Sequence, residues 1–311
     1  MSQSAHPSPG GAVDTSLLTV GLPLALAVIM FGLGLSLTVD DFRRIGRQPK
    51  PVVVALAAQL VLLPLLCFGL VVALDLDPLL AVGMMLLAAS PGGTTANLFS
   101  HLFRGDVALN VTLTAVNSVI AVVSLPLVVN LAIGYFDPSG AGDIGLQFGK
   151  SLQVFAIVLV PVAIGMAVRR SSPGFAARAD KPVRIASAVV LALVVVGALL
   201  AEREDIGDYL ADVGLVTTLF CVGSLLLGYV VPRAAGVGAR QAMSSAFEVG
   251  IHNSTLAITV AVSVLDNEKL AVPAAVYGVI MFPLGFAAGL ALRHLVVDEP
   301  EQQEAPAAPL R

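Results

Sequence analysis

The chain has 311 residues, of which 57% are hydrophobic and only 12% are charged, and its mean hydropathy is +0.92. Soluble domains carry about 25% charged residues, so this composition excludes a soluble globular protein and predicts an all-α polytopic membrane protein. The apolar runs are continuous rather than alternating, which excludes a transmembrane β-barrel. The net charge of −4, with Lys and Arg dispersed between hydrophobic runs, excludes a nucleic-acid partner.

Apolar runs of about 20 residues mark the candidate membrane spans. The sequence between residues 16 and 294 contains nine such runs, and the flanking segments 1–15 and 295–311 are predicted to be disordered tails. The predicted spans are Leu17–Leu37, Val52–Leu74, Leu79–Leu102, Val107–Ile133, Leu152–Val168, Ile185–Ala201, Val213–Val231, Ala242–Leu265 and Leu270–Leu292.

The distribution of basic residues predicts the orientation of the chain. Of the 17 Lys and Arg residues, only Lys150, Arg203 and Lys269 lie on one side of the predicted membrane, and the others lie on the opposite side. Because cytoplasmic loops carry the excess of Lys and Arg, we expect a multi-pass protein of the inner (plasma) membrane. Its N-terminus would be outside and its C-terminus in the cytoplasm.

Two of the predicted spans are interrupted. The third contains Ser90-Pro91-Gly92-Gly93, and the eighth contains Gly250 between Glu248 and Thr255. Proline and paired glycines disfavour a continuous helix. The interruptions are five spans apart, an odd number, so the two segments would cross the membrane in opposite directions. Glycine and proline are common in membrane helices, but paired broken helices in an inverted repeat indicate the binding site of a secondary transporter.

Glu248 lies within the second interruption, and no Lys or Arg accompanies it in the membrane-embedded segments. A carboxylate in hydrocarbon costs at least about 2.5 kcal/mol unless it is compensated. The embedded polar groups offer carboxylate, amide and hydroxyl oxygens, which suit Na⁺. Asn110, Thr114 and Asn117 share one helical face; that face could bind a cation or form hydrogen bonds between helices.

Several motifs resemble those of the bile acid:sodium symporter family, and the resemblance covers nearly the whole chain. The first are Met30–Leu37 with Asp41-Phe42, and Gln59 with Pro64. The two interrupted spans carry the more specific ones, which are Ser90–Asn97 through Arg104–Leu109, and Glu248-Val249-Gly250-Ile251-His252-Asn253-Ser254. The chain looks like a bacterial member with nine helices that lacks the first helix of ten.

The resemblance implies an inverted-repeat transporter with two crossed broken helices and separate core and panel domains. The core would comprise the spans near residues 52–134 and 213–292, and the panel the spans near 17–37 and 152–201. One sodium site would use Asn97, Asn110, Thr114, Glu248 and the carbonyl of Ala96. A second would use Gln59, Glu248, His252 and the carbonyls of Val249 and Ile251. Thr94 and Asn253 would face the substrate.

Three residues depart from the family's pattern. Ala96 and Asn110 stand where serine is expected, and His252 stands where glutamine is expected. Imidazole nitrogen is a weak ligand for Na⁺. One hypothesis is therefore that a proton on His252 replaces the second sodium ion, because histidine changes charge near neutral pH. The alternative is a neutral His252 that forms hydrogen bonds within the crossing of the two broken helices.

These observations predict a sodium-coupled symporter of a small organic monoanion or a bile-acid-like anion, working by alternating access. Its partners would be the anion, Na⁺ and the lipid bilayer, and it would act as a monomer without a cofactor. An efflux carrier or a non-transporting receptor on the same scaffold is an alternative. An intramembrane enzyme is the weakest alternative, because His252 and Ser254, two residues apart, are poorly placed to meet on one helix.

Overall fold

The computed structural model describes residues 46–138, 148–179 and 206–297, together with isolated residues and short stretches between 27 and 43 and between 182 and 189. The described residues form helices and their connections, as the composition predicts. In chain order the helices are α1 (Pro49–Ala73), α2 (Pro78–Ala89), α3 (Thr94–Leu102), α4 (Val107–Phe136), α5 (Phe148–Ser171), α6 (Ile206–Ala234), α7 (Ala239–Gly250), α8 (Ser254–Val264) and α9 (Val272–Val297).

Four segments of the described chain are long and apolar enough to cross a membrane. They are Pro49–Ala73, Val107–Phe136, Val213–Ala234 and Lys269–Leu295. These segments coincide with the predicted second, fourth, seventh and ninth spans, and α5 contains the fifth. Most of the first and sixth predicted spans, the predicted tail 1–15 and residues 298–311 lie outside the described residues. The predicted C-terminal tail was wrong in its first three residues, because 295–297 continue helix α9.

The third and eighth predicted spans are each two helices rather than one. Helix α2 ends at Ala89, since Ser90 turns to an extended conformation (ψ 137°) before Pro91, which has no N–H to donate. Helix α7 ends at Gly250, and α8 begins after Asn253, whose side-chain oxygen accepts a hydrogen bond from the Leu256 N–H at 3.0 Å. Both interruptions fall where the sequence predicts them.

The two interruptions meet. Gly92 and His252 form an isolated antiparallel β-bridge. The Asn253 N–H also donates a hydrogen bond to the Pro91 carbonyl oxygen at 2.9 Å. These backbone contacts confirm that the broken helices cross in opposite directions. They also pair some of the polar backbone groups that the unwound segments would otherwise leave unsatisfied.

An aromatic cluster packs α3 against α7 and α9. The Phe99 ring lies 5.5 Å from the Phe247 ring, and the Phe103 ring lies 5.8 Å from it, centroid to centroid. Phe103 also contacts Phe286 edge-on at 5.4 Å. Buried aromatic pairs such as Phe99–Phe247 and Phe103–Phe247 stabilise a packing arrangement beyond their area alone. The cluster therefore fixes α3, the second half of the first broken helix, against α7, the first half of the second broken helix.

Helix α5 approaches the first predicted span through two glycines. A methyl group added at Gly165 would lie 2.8 Å from the Cα atom of Gly34, so the two backbones touch there. Small residues permit such close approach of membrane helices. The sequence assigns both segments to the panel domain, and the division into core and panel stays a prediction.

Helix α1 contains a feature that the sequence did not predict. Residues Ala58–Leu62 form a π-helical turn, and Gln59 lies in it, 4% exposed. Such turns replace the regular hydrogen-bond ladder locally and are frequent at functional sites. The irregular turn brings the Gln59 amide beside the first interruption, where its Nε2 donates to the Ser90 carbonyl oxygen over a long 3.4 Å.

Candidate functional site: a buried carboxylate at the helix crossing

The Glu248 carboxylate is buried against the crossing of the broken helices. It occupies the last turn of α7 and is only 2% exposed. Its Oε2 accepts a hydrogen bond from the Thr114 Oγ1 of α4 at 2.6 Å, while its Oε1 has no hydrogen-bond partner in the described part of the chain. Where the structure describes the basic residues, none pairs with it. One carboxylate oxygen is therefore fixed and the other is available.

Gly92 accommodates this carboxylate. A Cβ atom at Gly92 would overlap the Cδ and both oxygens of Glu248, so only glycine lets the carboxylate lie against the unwound backbone. At Gly93, by contrast, the nearest atom to an added Cβ would be Asn253 Cβ at 3.8 Å, an ordinary contact. The sequence identified the paired glycines as helix breakers, and the structure gives Gly92 this second role.

The polar face of α4 points at the carboxylate. Asn110, Thr114 and Asn117 are all buried, as their spacing predicts. Thr114 contacts Glu248 directly, and the Asn117 side chain lies beside the carboxylate. Thr112, which is equally buried, instead donates to the Ala108 carbonyl oxygen of its own helix at 2.9 Å. The face therefore forms hydrogen bonds between helices, from Thr114 to Glu248 and from Asn110 to Ser100, and its binding of a cation stays a prediction.

Four carboxylate and amide oxygens around the crossing are buried without a hydrogen-bond donor among the described residues. They are Glu248 Oε1, Asn97 Oδ1, Asn110 Oδ1 and Gln59 Oε1. Buried polar atoms are nearly always satisfied, so a set of unsatisfied acceptors calls for an explanation. All four are hard oxygen atoms of the kind that bind alkali and alkaline-earth cations. A bound cation would satisfy them, and the residues present fit one.

The orientation of Asn110 depends on a residue that the sequence did not single out. Asn110 Nδ2 donates a hydrogen bond to the Ser100 Oγ of α3 at 2.6 Å, and both residues are fully buried. Because the amide nitrogen is used there, the amide oxygen is left as the free atom. Ser100 lies inside the third predicted span, and its hydroxyl group is the sequence feature that could have identified it as a partner of Asn110.

His252 lies in the second interruption with its ring between α6 and α9. Its Nδ1 is 3.0 Å from the Tyr277 hydroxyl oxygen, and its ring centroid is 5.3 Å from that of Phe220. Its Nε2 has no partner among the described residues. Tyr277 was not predicted as a site residue, although a hydroxyl in the apolar ninth span was a signal for it.

The other predicted site residues lie around the same crossing. Ala96 and Asn97 are in the first turn of α3, and Val249 and Ile251 flank the end of α7. Thr94 and Asn253 are half-buried where α3 and α8, the second halves of the two broken helices, begin. The Asn253 oxygen caps α8, so its amide nitrogen is the atom left for a ligand. Gln59 is bonded to Ser90 rather than to Glu248.

Two oppositely directed broken helices crossing at a buried carboxylate define a membrane transporter rather than an enzyme. The sequence profile of the Sodium Bile acid symporter family matches residues 23–208, and the chain belongs to this family. That match confirms the resemblance found in the motifs and the class of multi-pass membrane protein.

Relatives from several kingdoms align over most of the chain. The human "Ileal sodium/bile acid cotransporter" is 30% identical over 270 residues, which are 86% of this chain and 74% of the human one. The "Uncharacterized sodium-dependent transporter YocS" of Bacillus subtilis is 29% identical over 83% of this chain and 78% of its own. The rice "Probable sodium/metabolite cotransporter BASS2, chloroplastic" is 29% identical over 89% of this chain, which spans only 63% of the rice protein.

Proposed function

We propose that this protein is a sodium-coupled symporter that imports a small organic monoanion by alternating access. The observation that carries the proposal is the Glu248 carboxylate, buried with a free oxygen among unpartnered amide oxygens at the helix crossing. A buried carboxylate without a basic partner is compensated by a bound cation or by a proton, and unpartnered oxygen ligands beside it favour the cation. The names of the human, bacterial and rice relatives, all sodium-dependent transporters or cotransporters, support Na⁺ as that cation.

The first proposed sodium site lies between α3, α4 and α7. Its ligands would be Asn97, Asn110, Thr114 and Glu248, with the carbonyl oxygen of Ala96. The free oxygens of Asn97, Asn110 and Glu248 support this set. The Thr114 hydroxyl already bonds Glu248 through its hydrogen, and its lone pairs remain able to bind a cation.

The second proposed sodium site lies on the other side of Glu248. Its ligands would be Gln59, Glu248 and His252 with the carbonyls of Val249 and Ile251. The unpartnered Gln59 Oε1 and His252 Nε2 support this set. Two sodium ions, an ionised Glu248 and a monoanionic substrate sum to zero charge, which is a favourable state to move through the low-dielectric interior of a membrane protein.

The substrate is proposed to bind where α3 and α8, the second halves of the two broken helices, begin. Thr94 and the Asn253 amide nitrogen would donate hydrogen bonds to a carboxylate, and the partial positive charge at the N-terminus of α3 would favour an anion. Bile-acid-like anions and small oxo or hydroxy acids both satisfy this chemistry. A cycle of two sodium ions per monoanion moves one net charge, worth about 2.3 kcal/mol per 100 mV.

The membrane, orientation and assembly belong to the same proposal. The excess of Arg and Lys on one side supports an N-terminus outside the plasma membrane and a cytoplasmic C-terminus. The site lies within one chain, since α1, α3, α4, α7 and the second interruption contribute its groups. A monomer therefore suffices for transport, and no resident cofactor is proposed.

A thermal-shift screen of organic acids, with and without NaCl, would first identify a substrate, because a ligand that binds only the folded state raises the melting temperature. Uptake of that acid into proteoliposomes under an inward Na⁺ gradient then tests the proposal. Glu248→Gln should abolish sodium-stimulated uptake. The matched control is Glu268→Gln, the same change at an exposed position outside the site, which should leave uptake unchanged.

The outcomes separate the alternatives. Sodium-stimulated accumulation in the wild type and its loss in Glu248→Gln support the symporter. Binding of the acid without accumulation under any gradient would instead identify a receptor. Accumulation only when the Na⁺ gradient is directed outward would identify an exporter. Equal sodium stimulation in wild type and Glu248→Gln would overturn the assignment of Glu248.

A further inference from the structure

The Tyr277 hydroxyl joins both sides of the second interruption to α9. It is completely buried, and it donates a hydrogen bond to the carbonyl oxygen of Gly250, the last residue of α7, at 2.7 Å. The same oxygen is 3.0 Å from His252 Nδ1. A single side chain therefore contacts the backbone on one side of Ile251 and the imidazole on the other.

The hydrogen bonds of the Tyr277 hydroxyl determine the tautomer of the His252 ring. A tyrosine hydroxyl has one hydrogen to donate, and the carbonyl of Gly250 can only accept, so the hydrogen points there. The Tyr277 oxygen must then accept from His252, which requires a hydrogen on Nδ1. Because the hydrogen bond of one ring nitrogen sets the role of the other, Nε2 carries a lone pair in the neutral ring.

The ring is held in this position from three directions. The His252 backbone pairs with that of Gly92 across the helix crossing. The Phe220 ring of α6 lies against it at 5.3 Å, and the Tyr277 ring meets it edge-on at 5.2 Å. The side chain is 2% exposed. Rotating the ring to exchange its nitrogens would break the bond to Tyr277, since Phe220 offers no polar replacement.

We propose that Tyr277 is a positioning residue for the cation site: it holds His252 in the Nδ1–H tautomer and thereby presents the Nε2 lone pair as the atom that binds the second sodium ion. This inference rests on the proposed function. Its structural support is the unpartnered, buried Nε2 together with the fully committed Nδ1. Where the family's pattern has a glutamine, this chain would thus use a nitrogen ligand, His252 Nε2, which Tyr277 of the ninth predicted span orients.

The tautomer can be measured directly and without sodium. The chain has four histidines, so replacing His6, His101 and His294 by Gln leaves His252 as the sole labelled ring in protein made with ¹⁵N-histidine. The ¹⁵N spectrum should show a protonated Nδ1 and a pyridine-type Nε2. The Tyr277→Phe variant should lose that single tautomer and show both. A protonated Nε2 in the parent protein would overturn the inference.

Transport measurements test the functional consequence. Tyr277→Phe keeps the ring and removes the hydroxyl, and the sodium concentration for half-maximal uptake should rise about tenfold, the size expected for losing one buried hydrogen bond. The maximal rate at saturating sodium should change little. The control is Ser224→Ala, because the Ser224 hydroxyl is 3.5 Å from the same Tyr277 oxygen without contacting His252. It should leave the half-saturation value unchanged.

A double variant separates positioning from a packing role. In the His252→Gln background, Tyr277→Phe should raise the half-saturating sodium concentration by less than it does in the parent protein. The remaining increase would come from the lost hydrogen bond to the Gly250 carbonyl oxygen. An undiminished effect would show that Tyr277 does not act through His252. Failure of the proposed function gives a different result: uptake of the wild type would not depend on sodium, while the ¹⁵N tautomer would still be as stated.

Discussion

Thr114 Oγ1 donates a 2.6 Å hydrogen bond to Glu248 Oε2, joining residues 134 positions apart in the chain. The bond crosses from α4 to α7 and fixes the one carboxylate of the helix crossing. Since Oε2 is engaged, Oε1 is the atom that can approach a second group. This hydrogen bond links the polar face of α4 to the broken helix. Its loss should therefore reduce the affinity for the cation more than the stability of the fold.

Thr114→Val tests that relationship, because valine has nearly the shape of threonine without its hydroxyl. We expect the half-saturating sodium concentration to rise about tenfold or more, corresponding to about 1.4 kcal/mol for a hydrogen bond to a charged group. Thr112→Val is the control, since the Thr112 hydroxyl bonds only its own helix. Equal effects of the two substitutions on sodium dependence would show that the Thr114 contact has no special role.

Gly92→Ala should disable the site while Gly93→Ala is tolerated. The added methyl at Gly92 would occupy the space of the Glu248 carboxylate, whereas at Gly93 it would meet Asn253 only at 3.8 Å. We expect Gly92→Ala to lose sodium-stimulated uptake and sodium-induced thermal stabilisation. Gly93→Ala should retain both. Retention of sodium stabilisation by Gly92→Ala would mean that the carboxylate need not lie against the unwound backbone.

The sequence predicted the features that depend on local chemistry. Pro91 and the paired glycines disfavour a continuous helix, so the first interruption was visible, and Glu248 was conspicuous as a charge in an apolar run. The spacing of Asn110 and Thr114 placed both on one face, and the structure brings that face to Glu248.

What the sequence could not predict depends on contacts between distant segments. Whether Gly92 merely breaks a helix or also makes room for a carboxylate is decided by a residue of α7. Ser100 and Tyr277 look like ordinary hydroxyl residues of apolar spans, and only packing reveals that they bond Asn110 and His252. The π-helical turn at Gln59 has no distinctive local pattern.

Ser100→Ala should weaken sodium binding through Asn110. The substitution removes the acceptor of Asn110 Nδ2, and an unsatisfied buried donor costs about 1–3 kcal/mol, so the amide should rotate and withdraw its oxygen from the cation. We expect a higher half-saturating sodium concentration. Ser118→Ala is the matched control, because that hydroxyl bonds only the Thr114 carbonyl oxygen one turn earlier in α4.

The Ser100 effect should vanish when Asn110 is replaced by Ser, which has no amide to orient. Sodium titrations of the two single variants and of the double variant measure this coupling directly. Additive effects of Ser100→Ala and Asn110→Ser would contradict the orienting role and would assign Ser100 to packing alone.

His252→Gln decides whether a proton takes part in coupling. A proton on Nε2 would give the ring a positive charge among Phe220 and Tyr277, with no carboxylate of the described residues hydrogen-bonded to it, and a buried charge without a partner is costly. We therefore expect a neutral His252, two sodium ions per anion, and the same pH profile of uptake in wild type and His252→Gln. Glutamine offers an amide oxygen, so sodium affinity should be kept or improved.

The measurement is uptake at several pH values together with the charge moved per anion. Under the neutral arrangement both proteins move one net charge per monoanion, and an imposed pH gradient alone drives neither. Proton coupling through His252 would give uptake driven by an inward pH gradient in the wild type, a sodium-to-anion ratio near one, and a return to two in His252→Gln. That result would establish the proton as the replacement for the second sodium ion and would reassign Nε2 from a cation ligand to a proton carrier.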